Sequence, residues 1–92
     1  MSASAPTARR IEQLLQQQLV PTHIEVRDEG AAHIGHAAAG QGHFRVRIVS
    51  TRFVGLKLLQ RHRLVNEALS SLLATEVHAL AMETLTPEEF SK

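Results

Sequence analysis

The sequence predicts a two-layer α+β domain, with a three-stranded mixed sheet and its helices packed on one face. Three observations lead there. Two segments, near the start and past the middle, carry apolar residues at helical spacing. Two short segments between them alternate apolar and polar residues, as half-buried strands do. A third apolar segment follows the second helix. The order is therefore helix, strand, strand, helix, strand. A helix with a single apolar face needs a sheet to bury it against.

Each element has its own signal. Met1 to Pro6 reads as a flexible lead-in, and residues 7–92 as one domain. From Ala8, the residues Ile11, Leu14, Leu15, Gln18 and Leu19 form one helix face, opposite Arg9, Glu12, Gln13, Gln16 and Gln17. Pro21 ends this helix and is expected to push Val20 into an extended conformation. His23 to Asp28 alternates, with Ile24 and Val26 on one side. Gly30 to Gly42 is a loop of Gly, Ala and His, long for a hairpin connection. Phe44, Val46 and Ile48 then alternate with Arg45 and Arg47, and the two strands form an antiparallel hairpin. Ser50 to Gly55 breaks the pattern.

Leu56 to Leu73 is helical by spacing, with Val65, Ala68, Leu69, Leu72 and Leu73 as its stripe and a candidate bend at Arg61–Arg63. Val77 to Thr84 is the third strand, apolar on both alternating sets, so spacing leaves the facing of His78 open. It follows a helix and can therefore pair in parallel with one hairpin strand through a right-handed crossover. Thr86-Pro87-Glu88-Glu89 has the form of a helix start: a capping hydroxyl, proline in the first turn and glutamate three residues on.

Composition narrows the functional classes. The 92 residues suffice for one small core, built from aliphatic side chains because aromatics are only 3%. A net charge of +1 neither demands nor rules out a polyanionic partner. With no cysteine, disulfides and thiol chemistry cannot belong to this chain alone, and its six histidines are its softest metal ligands. No apolar run approaches the roughly 20 residues of a membrane span. Met1 to Thr7 has no apolar signal region, so the expectation is a soluble cytoplasmic protein. Carboxylates are scattered, and no nucleophile–base pair or phosphate loop is evident, so no enzymatic activity is expected.

Two groups of residues could carry function. Arg52, Lys57, Arg61 and Arg63 concentrate positive charge around a helix start, which suits phosphate contacts or an acidic protein partner. Gln60 and Asn66 are the only nearby side chains suited to reading base edges. The histidines form the second group. His33 and His36, three apart in the long loop, match no standard zinc spacing, and a polar loop tolerates them without any metal. His78 has apolar neighbours, as a locally satisfied histidine also would. His43 opens the second strand and is expected to close the hairpin loop. His62 is expected to pack or cap near the helix bend, and His23 to be exposed.

Taken in order, His43-Phe44, Val49-Ser50, Arg52-Phe53, Gly55, Leu59, Arg61-His62-Arg63 and His78-Ala79-Leu80 resemble the BolA family, over about Arg10 to Phe90. The resemblance implies a fold similar to the type II KH domain; Gly55-Leu56-Lys57-Leu58 departs from that domain's Gly-x-x-Gly loop. It implies two roles. One is partnership with a monothiol glutaredoxin in holding a [2Fe–2S] cluster, for assembly, trafficking or iron sensing. The family's ligand positions then fall on His78 and on either His33 or His36. Imidazole can replace thiolate on one iron, and the missing thiolates would come from a glutaredoxin cysteine and glutathione. The other role is a DNA-binding regulator of morphology and stress genes, acting through the basic region like a helix-turn-helix. Either way the isolated chain is expected to carry no cofactor and to be a monomer or weak homodimer.

Overall fold

The computed structural model describes residues 5–29 and 42–92. The elements are α1 (Ala5–Leu19), β1 (His23–Asp28), β2 (His43–Val49), a 3-10 turn (Thr51–Phe53), α2 (Leu58–Ala68), α3 (Ser70–Leu73), β3 (Ala79–Leu85) and α4 (Pro87–Phe90). The sheet order is β1-β2-β3. β1 and β2 are antiparallel, with Ile24 opposite Ile48 and Val26 opposite Val46. β3 runs parallel to β2, pairing Leu80 with Phe44 and Met82 with Val46.

One cluster forms the core. Ile11, Leu15 and Leu19 of α1, Val65 of α2, Leu69 at the α2–α3 junction and Leu72 of α3 pack on Phe44, Val46 and Ile48. Phe53 and Val77 plug this layer from the connecting segments. α1 and α2 therefore lie on the face predicted from the alternation of β2. The register also settles β3: Leu80, Met82 and Thr84 share the rows of the buried β2 residues, whereas Ala79, Ala81 and Glu83 are exposed.

The opposite face is a set of compensated charges. Arg47 pairs with Glu83 at 2.6 Å, Arg45 with Glu29 at 3.1 Å, and His23 with Glu25 at 2.6 Å. The His23 hydrogen bond, aided by charge from His23 and nearby arginines, holds the Glu25 carboxyl below its usual range. At one end of the sheet, α4 folds over so that Phe90 stacks on His23, with ring centroids 4.8 Å apart.

The structure corrects several boundaries. α1 begins at Ala5 rather than at Ala8, and Gln18, read as part of the apolar stripe, is exposed; the fourth buried position is Thr7. Val20 is not extended but left-handed, at φ 45°. Its N–H still closes on Gln16 O at 3.2 Å, so the chain turns by an αL helix cap before Pro21 can act. The second helix starts at Leu58 and breaks at Leu69, not at Arg61–Arg63. Arg61 N–H reaches Lys57 O at 3.1 Å, so the helix runs on through the basic residues. It ends where Leu69, at φ −103° and ψ 13°, turns so that Leu69 and Leu72 both reach the core. β3 starts two residues later than expected, because Val77 packs in the core instead of pairing. His23, expected to be exposed, is half-buried and stacked on Phe90.

Candidate functional site

The candidate ligand His78 sits at the head of β3, at the end of the sheet where β1 stops and β2 begins. Its position is set by backbone. Gly42 O accepts the N–H of His78 at 2.8 Å and that of Ala79 at 3.1 Å. Gly42 itself is buried, at φ +77°, and its missing side chain leaves room for the His78 ring. A Cβ added there would overlap that ring and lie 2.9 Å from Glu76 O.

The turn before His78 is clamped from α1. Thr7 Oγ1 donates to Glu76 Oε1 at 2.7 Å, and Arg10 Nη1 pairs with Glu76 Oε2 at 2.5 Å. Val77 N–H bonds to Leu72 O at 2.8 Å, with its side chain in the core. Thr7, Arg10 and Glu76 thus place His78 from nearly the far end of the chain, and no spacing in the sequence signals this contact.

The result is a fixed backbone carrying an exposed imidazole. The His78 side chain has no hydrogen-bond or charged partner among the described residues. Spacing had left its facing open, and the locally satisfied histidine is not what the structure shows. Among the described residues, no three His, Cys, Asp or Glu side chains gather to hold a metal ion. Such a donor suits a metal whose other ligands come from elsewhere. Gly42 is the last residue of the loop that carries His33 and His36, so that loop returns to the sheet directly beside His78. His33 and His36 themselves lie outside the described residues. His43, next along, is half-buried.

The basic residues occupy the other end. β3 measures about 20 Å between its end residues, seven residues separated by six rises of roughly 3.3 Å. Arg61 Nη1 donates to Thr84 O, near its far end, at 3.1 Å. The Arg61 side chain, only 12% exposed, also donates to Leu56 O at 3.0 Å and pairs with Glu89 at 2.7 and 3.2 Å. These contacts, with the Thr86 N–H, hold the Glu89 carboxyl down to about 2. Arg61 thus ties α2, β3 and α4 together. Arg52, Lys57 and Arg63 are exposed, and their side chains have no carboxylate partner among the described residues. The four cations grouped by sequence therefore divide into one internal tie and three surface charges. His62 is half-buried on α2, and its Nε2 is buried without a hydrogen-bond partner among the described residues.

A three-stranded mixed sheet covered on one face by helices, with an exposed imidazole at the head of its third strand, defines a small α+β domain. Residues 15–89 match the family described as BolA-like protein. The chain is 46% identical over 89 residues to BolA-like protein 1 of Mus musculus, covering 97% of this chain and 64% of that protein. It is 42% identical over 81 residues to the DNA-binding transcriptional regulator BolA of Escherichia coli K12, covering 88% and 76%. The solved BolA domain of SufE1 from Arabidopsis thaliana superposes with a TM-score of 0.81 at 37% identity, covering 97% and 98%. The chain belongs to the BolA-like family. No helix among the described residues is long and apolar enough to cross a membrane.

Proposed function

We propose that this chain is a non-catalytic partner of a monothiol glutaredoxin in the assembly, trafficking or sensing of [2Fe–2S] clusters. The observation that carries this reading is the exposed His78 ring, without a hydrogen-bond or charged partner among the described residues, packed against Gly42. An iron held partly by imidazole has a higher potential than one held by thiolates alone. The chain's contribution is positional. Gly42, Glu76 and Val77 fix the His78 backbone, and either His33 or His36 supplies the second imidazole. Thiolates come from the partner's cysteine and glutathione, since this chain has none. A donor set split between molecules is easily taken apart, which suits transfer or sensing. The reading places the protein in the cytoplasm, where thiols stay reduced.

The test is to mix the full chain with a cluster-bearing monothiol glutaredoxin and record visible absorption and circular dichroism. The wild type changes the spectrum and His78→Ala does not. An unchanged wild-type spectrum sinks the proposal.

A DNA-binding regulator is the second reading, favoured by the name of the bacterial relative and by the exposed Arg52, Lys57 and Arg63. It requires sequence-selective binding, measured against scrambled duplexes at two salt concentrations; attraction that salt alone abolishes counts against it.

A further inference from the structure

We infer that the end of the molecule opposite His78 docks a second protein, one whose surface offers an apolar socket rimmed by carboxylates. Five large apolar side chains are well exposed among the described residues: Val20, Val54, Leu58, Leu59 and Phe90. All five belong to segments that meet at this one end. Val20 follows α1, whose last carbonyl, Leu19 O, is tied to Ser50 Oγ at 2.6 Å. Phe90 lies on His23, at the start of β1. Val54, Leu58 and Leu59 flank Gly55 in the turn that Arg61 joins to β3 and α4. At the His78 end no described large apolar residue is exposed to this degree.

Val54, Leu58 and Leu59 form the centre, at 63%, 61% and 63% exposure. Water gains nothing from them, and an interface core is where such side chains belong. The rim is set by charge. Carboxylates are present at this end, but Glu89 is engaged by Arg61, Glu88 lies 3.9 Å from Lys92, and Glu67 shares a groove with Arg52. From Gly30 to Asn66 the sequence contains no Asp or Glu, and Arg52, Lys57 and Arg63 lie on or beside the apolar turn without ion-pair partners among the described residues, so the balance is positive. The complement of an apolar knob whose rim is mainly cationic is an apolar socket whose rim is mainly anionic.

The same details argue against nucleic acid as the occupant. Phosphates need the cations but not the leucines. Gln60, one of the two side chains suited to reading bases, accepts the Lys57 N–H through Oε1 at 2.9 Å and is engaged in starting α2. The surface lies about a sheet's length from His78. A protein can therefore sit here while the histidine end is occupied, which makes the chain a bridge between two partners. This inference does not depend on the cluster reading.

The test selects peptides from a random display library on the full-length chain, then maps the winners by amide chemical shifts. The expected winners combine Leu, Ile or Phe with Asp or Glu, and shift the amides of residues 52–63. The Leu58→Ser/Leu59→Ser double variant should weaken their binding at least tenfold, as should Arg52→Ser/Lys57→Ser/Arg63→Ser. His78→Ala should bind them unchanged. All these positions are exposed, and unaltered far-ultraviolet circular dichroism verifies the fold of each variant. Winners that map elsewhere, or no enrichment, overturn the inference. So does duplex DNA that shifts these amides and is lost in the cation variant but not the leucine variant. Concentration-dependent dimerisation abolished by the leucine variant also overturns it, because a second copy would then be the occupant.

Discussion

Arg61 and Glu89 show how one residue can carry structure in a segment that reads as function. In the sequence Arg61 is one of three adjacent basic residues, and nothing in composition separates it from Arg63. Helix rotation separates them: Arg61 turns toward β3, and Arg63 toward solvent. The pH behaviour follows. Glu89 has its carboxyl lowered from 4.5 to about 2 in the fold, so it binds a proton more readily when unfolded. Its contribution is complete above about pH 4.5 and disappears as pH falls toward 2. Glu89→Gln should lower the melting temperature at pH 7, with the gap to wild type closing across that window in thermal denaturation followed by circular dichroism. A gap that persists at pH 2 would mean that the ion pair is not its source.

Gly42 is a second case at this scale. Loop glycines are easily read as mere flexibility, but this one has a ring packed where its side chain would stand. Gly42→Ala should displace the His78 ring and move its carbon-bound proton resonances, while His78→Ala relieves part of the stability cost in a double-mutant cycle. Additive effects would show that the ring does not bear on Gly42.

Among the elements, those with strong periodicity were legible before any coordinates. The Ile11–Leu15–Leu19 stripe, the alternation of Phe44, Val46 and Ile48, and the Thr86–Glu89 capping box all form as read. What sequence hid were the junctions, because these depend on contacts made far along the chain. Val20 is left-handed because α1 must turn at once into a strand pinned by Thr22 N–H to Val49 O at 2.8 Å. A β-branched residue in that region carries about 1–2 kcal/mol of strain. Glycine there would remove it, while costing about 0.5–1 kcal/mol in unfolded-chain entropy. Val20→Gly should therefore stabilise the domain by about 0.5–1 kcal/mol, a rise of several degrees in melting temperature for a chain of this size. A lower melting temperature would place the strain elsewhere. The candidate site was half legible in the same sense: His78 could be named, but its support by Thr7, Arg10 and Glu76 could not.

For the whole molecule, one core serves both ends. Phe53 lies beneath the basic turn and Val77 beneath His78, yet both belong to the same cluster. Phe53→Ala should cost about 3–5 kcal/mol, a large part of the roughly 5–15 kcal/mol that holds a domain together. The loss should appear as one cooperative transition, with amides at both ends exchanging together in native-state hydrogen exchange. Protection that survives at the His78 end alone would reveal two separately stable halves.

The parallel pairing of β2 with β3 has a consequence in time. His43 and Ala79 lie 36 positions apart and meet only after the intervening helices have crossed the sheet. Contacts between such distant positions are slow to gain during folding. The β1–β2 hairpin leaves the ribosome before the strand that His78 heads. A nascent or truncated chain that ends before β3 thus has Gly42 but nothing for its carbonyl to hold, so the exposed imidazole of His78 takes its place only together with the finished sheet.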